Sequence, residues 1–261
     1  LGVRLVGSEM CIRDSLRNDL LKFRRLHMWA VLTLVPLIAV AMGAGNYFGN
    51  QGQLEAGWTS YLSQIMLFYG MIFMTAGIAI IASAAWRVEH RGHNWHSLLT
   101  STRSAGGLTA SKIAAITISA AAMQTVLVVL AVVVGLVLGV PGTPPGSFIA
   151  VAFLSLLPAT AVAAWQSFLS MVIRNFAGPV AIALVASIIS FGILASGATF
   201  ARFVLPPALL SDTLWLGSSA VADAGAISAA TVVQVAIASA VLALAGWLAA
   251  TAYLRATDVR L

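Results

Sequence analysis

Hydrophobic positions in this chain gather into six runs, at about 27–45, 60–85, 113–139, 148–173, 178–200 and 227–252. Each is close to the roughly 20 residues that a helix needs to cross a bilayer. Pro36 marks a kink in the first run and Pro158 lies inside the fourth. Gly178 and Pro179 open the fifth, where a proline suits the first helical turn. The longest polar interruption, "EHRGHNWHSLLTSTRSAGGLTASK", separates the second run from the third. It holds three of the four histidines, together with Arg91, Arg103 and Lys112. The pattern predicts an all-α membrane protein with six transmembrane helices and one long wet segment near its middle.

Composition agrees. Hydrophobic residues make up 60% of the chain and charged ones 8%, against about 25% in a soluble domain. The mean hydropathy is +0.97. A pI near 10.3 invites a nucleic-acid reading. In a membrane chain, however, basic residues gather on the cytoplasmic side, so no nucleic-acid partner is expected. Counting from Leu16, eleven lysines and arginines fall on one side of the six runs, and only Arg202 falls on the other. The bias puts both termini and the histidine-rich segment in the cytoplasm. The single cysteine, Cys11, excludes an internal disulfide and a cysteine metal site. Residues 1–15, "LGVRLVGSEMCIRDS", lack a signal-peptide pattern and resemble a translated sequencing-adapter peptide. The expectation is therefore one membrane domain over residues 16–261.

The polar connections differ in kind. In "LRNDLLKFRRL", Leu16, Leu20 and Phe23 share a helical face that Lys22, Arg24 and Arg25 avoid. This suits an amphipathic helix on anionic lipid, or a solvated lead-in to the first span. "NYFGNQGQLEAGW" is a polar outer loop with aromatics placed for an interfacial belt. "VPGTPPG" is a stiff turn. Residues 201–226 are half apolar, and are expected to lie in the interface or dip back into the membrane.

No Asp, Glu, Lys or Arg falls inside the six runs, which argues against a proton-coupled carrier. Gln64, Gln124, Gln166 and Gln234 either line a path or join helices, and joining is the commoner role. Gly135 and Gly139, like Ala177 and Ala181, read as packing surfaces. "GGLTASK" lacks the spacing of a phosphate loop. It reads better as two glycines ending one helix, with Thr109 or Ser111 starting the next. On a helix starting near Val88, Glu89, His93 and His96 share a face, an acceptable metal geometry. That defines one alternative, a membrane-embedded metal-dependent enzyme. A solvated polar face is the simpler account, and no metal or cofactor is expected. Val88, Trp95, Leu98 and Leu99 fall within an arc of about 100° on the opposite side. The segment therefore reads as an amphipathic helix, suited to the membrane surface or to a partner's groove.

Glu89, the Asn94-Trp95 pair, Leu98-Leu99 and Lys112 resemble the pattern between the second and third spans of type-2 ABC exporter permeases. "EHRGHNW" followed by "LLTS" is most similar to the lantibiotic-immunity and peptide-antibiotic-resistance branch, as is "NYFGNQGQLEAGWTS". Thr102-Arg103 stand where many relatives have a proline. The resemblance implies a six-helix permease in the bacterial plasma membrane, with a cytoplasmic coupling helix bearing Glu89, Trp95, Leu98 and Leu99. It further implies a re-entrant hairpin before the last span. The partners it implies are a separate ABC ATPase subunit, a second permease copy or related permease, and membrane lipid. The cargo would be a peptide antibiotic, a drug or a lipid, and no catalytic residues are expected in this chain.

Overall fold

A computed structural model describes residues 28–90, 104–221 and 224–258. Every regular element among them is helical. The first span is α1 (Met28–Gly49). The second joins α2 (Trp58–Phe68), a π turn (Tyr69–Phe73) and α3 (Met74–His90). The third is α4 (Ala105–Val137). The fourth is α5 (Gly146–Leu154) followed by α6 (Leu156–Val172). The fifth is α7 (Ala177–Ala195) and the sixth is α9 (Ala229–Asp258). Six helices are long and apolar enough to cross a membrane. The second and fourth are the most enclosed, while the others turn apolar side chains such as Leu34, Val129, Val185 and Ile237 outward.

Helix ends depart from the hydropathy reading. The second and third spans are each 33 residues long. That is about 50 Å of helix, which still rises about 38 Å when tilted by 40°, against a hydrocarbon core of about 30 Å. Each helix therefore passes beyond the hydrocarbon at one end or both. The third span does not start at Thr109 or Ser111. Ser104 caps it, its Oγ accepting from Gly107 N at 3.1 Å, and both glycines lie inside the first turn. Thr109 and Ser111 are already helical and bond back to preceding carbonyls. Pro36 leaves α1 unbroken, whereas the fourth span breaks at Ser155, three residues before Pro158.

The outer aromatics form a buried cluster rather than a lipid-facing belt. Tyr61 meets Tyr47 and Trp58 edge-on, with ring centres 5.6 and 5.7 Å apart. Each polar tip has a partner. Tyr61 donates to Ala131 O at 3.0 Å, Trp58 Nε1 to Gly142 O at 3.1 Å, and Gly57 N to the Tyr47 hydroxyl at 2.9 Å. Satisfied tips allow such rings into a core. Gly135 is part of this packing, because an added Cβ would meet the Trp58 ring at 2.6 Å. Gly139 instead serves a turn, at φ +71°, and Ala177 and Ala181 are exposed.

The first two spans cross where Gly43 touches backbone. A Cβ there would lie 2.5 Å from Ile65 Cα and 2.6 Å from its N. Gly43→Ala is expected to cost about 1–3 kcal/mol, because a backbone cannot step aside as a side chain can. Gly45→Ala, with open space around it, should be neutral. Thermal unfolding of the two purified variants in detergent checks the contrast.

The connection before the last span returns into the bundle. A 3₁₀ turn (Thr199–Phe203) leads to α8 (Pro206–Leu214), which is buried along most of its length. Ser211 Oγ donates to Gly70 O at 2.7 Å, Trp215 Nε1 to Met66 O at 3.3 Å, and Ser219 N to Ser63 Oγ at 2.9 Å. Gly70 lies twelve residues past Trp58, about 18 Å along the helix. The segment thus reaches membrane depth beside the π turn and is re-entrant. Ser211, Trp215 and Ser219 N thus find protein partners there, as such a position requires.

Candidate functional site

The ends of α3 and α4 that bracket residues 91–103 hold a buried charge pair. Trp86 and Glu89, three residues apart, share a face of α3. Lys112 lies in the third turn of α4 and reaches across. Its Nζ is 2.8 Å from Glu89 Oε1, and both side chains are 2% exposed. The same ammonium lies 5.4 Å from the centre of the Trp86 ring. The cation therefore sits between a carboxylate and an aromatic face, a favourable setting once water is excluded.

Further contacts tie this pair to the rest of the bundle. Thr109 Oγ1 and Thr251 Oγ1 are 2.9 Å apart, and Trp247 Nε1 donates to Gly106 O at 3.1 Å, joining the start of α4 to α9. His90 Nε2 is 3.0 Å from Ser170 O, and Ser83 and Ser170 hydroxyls are 3.3 Å apart, joining α3 to α6. A load applied through residues 91–103 would thus reach the second, third, fourth and sixth spans directly.

Of the residues singled out in the sequence, Glu89 is in this site but on no solvated face, since it is buried on Lys112. Because the helices extend past the hydropathy limits, a charge pair lies within the bundle after all. Trp95, Leu98, Leu99, His93 and His96 lie outside the described residues. The metal alternative gains nothing here, because one of its three ligands is already held by an ammonium. Among the described residues no three His, Cys, Asp or Glu are grouped to hold a metal. The roles of Trp86, Trp247 and Thr251 were missed; the spacing of Trp86 and Glu89 was the available signal.

The polar residues within the spans divide. Asn46 Nδ2 donates to Gln64 Oε1 at 2.6 Å, a joint between the first two spans. Gln124 is buried with neither amide atom hydrogen-bonded, and Gln234 is exposed. An apolar groove of about 590 Å³ runs between α4 and α9, lined by Ile113, Thr117, Ile118, Leu244 and Trp247. It is open to the side.

Residues 15–190 match the family described as "ABC-2 family transporter protein". The chain belongs to the ABC-2 transporter family. The match takes in Glu89, residues 91–103 and Lys112, and ends within α7. No curated protein matches the chain. Membership makes this ABC-2 protein a multi-pass membrane permease of an ABC transporter, and the six spans are its membrane domain.

Proposed function

We propose that this ABC-2 permease is the membrane half of an exporter that clears a peptide antibiotic, a drug or a lipid-like compound from the bacterial plasma membrane. A separate ATPase subunit binds on the cytoplasmic side, where both termini lie, and a second permease completes the path. The lantibiotic-immunity branch is the reading favoured by "EHRGHNW" and "LLTS". Coupling runs through Glu89, Trp95, Leu98 and Leu99, with the apolar three docking on the ATPase.

The observation that carries this reading is the Glu89–Lys112 pair at the root of the coupling segment. Two charges are taken out of water there, and such a pair serves position better than stability. The laterally open groove between α4 and α9 suits an apolar cargo entering from the bilayer, and its volume is that of a small-molecule site.

The test is in cells. The permease co-expressed with a cognate ABC ATPase should raise resistance to a lantibiotic. The permease alone, or with an ATPase unable to hydrolyse ATP, should not. Full resistance from the permease alone would sink the proposal.

A further inference from the structure

A second basic cluster lies away from the Glu89–Lys112 pair, where α3, α6 and α7 meet at the same end of the bundle. Arg87 projects from the last turn of α3, and Arg174 from the four-residue loop between α6 and α7. Together with His90, Asn175, Phe176 and Pro179 they border one shallow niche with no room inside it, so a ligand there would rest on its rim. Arg87 Cζ is 5.5 Å from the centre of the Phe176 ring, so the loop is packed under the guanidinium. His90 is turned toward Ser170 O. Neither arginine has a carboxylate partner among the described residues. Both are exposed.

An exposed arginine needs no explanation by itself. Two of them flanking one niche, at the junction of three spans, set up a local positive field that no carboxylate among the described residues pairs with. Basic pockets between transmembrane helices on the cytoplasmic side are suited to anionic headgroups. Apolar surface lies directly below, since α7 turns Ile182, Val185 and Ile189 outward and Val172 is exposed at the end of α6. A free phosphate would use only the arginines. A phospholipid would use both the charge and the apolar strip.

We propose that Arg87 and Arg174 form a binding site for one anionic phospholipid, its phosphate between the two guanidiniums and its acyl chains along α7. The guanidinium fork suits phosphate oxygens better than an ammonium would. The site holds lipid rather than the transported cargo, and it does not depend on the direction or substrate of transport.

The test uses the full-length chain in detergent, offered equal amounts of phosphatidylglycerol and phosphatidylcholine, with bound lipid read by native mass spectrometry. Phosphatidylglycerol should be preferred. Each arginine near an anionic headgroup contributes roughly a fivefold preference, so Arg87→Gln/Arg174→Gln should reduce it roughly 25-fold. Arg174→Gln alone, changing only an exposed loop residue, should lose roughly fivefold, and it stands in if the double variant folds poorly. Arg255→Gln, at the same end of the bundle but on α9, should change nothing. Excess inorganic phosphate should not displace the lipid. An undiminished preference in the arginine variants would overturn the site. So would an equal loss in Arg255→Gln, which would indicate diffuse surface charge, or displacement by phosphate, which would indicate a soluble anion.

Discussion

Lys112→Met is expected to be among the most damaging single substitutions in this permease, at a cost of about 3–5 kcal/mol. The reason is what remains. Glu89 would stay 1% exposed with this ammonium removed, and removing one partner of a buried ion pair costs far more than the intact pair contributes. Glu89→Leu/Lys112→Met removes both charges at similar volume and should recover most of the loss. The double variant separates two roles. If the pair only stabilised the fold, the recovered protein would also transport. If it positions the coupling segment, stability returns and transport does not. Thermal unfolding in detergent, measured beside transport on all three variants, distinguishes these outcomes.

Leu98→Glu is expected to leave the six spans intact and detach the motor. A leucine buried in a protein groove contributes roughly 1.5–3 kcal/mol, about a 10- to 100-fold change in affinity. A carboxylate in the same groove would cost more, because nothing in an apolar site pairs with it. Co-purified ATPase should therefore fall at least tenfold, while the amount of folded permease stays level. His93→Ala and His96→Ala, which helical periodicity in the sequence assigns to the other face, should have little effect.

Six spans were legible because each apolar run is long enough to cross a bilayer and few charges interrupt them. Their ends were not. Glu89 and Lys112 look like loop residues when each is weighed alone, and only the fold brings them 2.8 Å apart, where each pays for the other's burial. The same locality explains the aromatics. Tyr47, Trp58 and Tyr61 read as an interfacial belt, but the acceptors that admit them to the core, such as Ala131 O and Gly142 O, are 70 or more residues away from their donors.

The returning segment before the last span was visible as half-apolar composition. Its seat was not, since Ser211 and Gly70 are 141 residues apart in sequence. Ser104 as the cap of α4 was within reach of sequence rules, but the glycine pair after it drew the reading toward a helix end. Among the glutamines, Gln64 joins helices as expected, whereas Gln124 shows that a buried amide need not.

The central claim is that a separate ATPase drives this permease through the segment rooted at Glu89 and Lys112. The most direct measurement is ATP-driven lantibiotic efflux from proteoliposomes containing the permease and its ATPase, compared for wild type, Leu98→Glu and His93→Ala. Wild type and His93→Ala should transport alike, and Leu98→Glu should transport at a tenth of that rate or less. Full transport by Leu98→Glu, with loss of function and of bound zinc in His93→Ala, would contradict the account and put a metal site in its place.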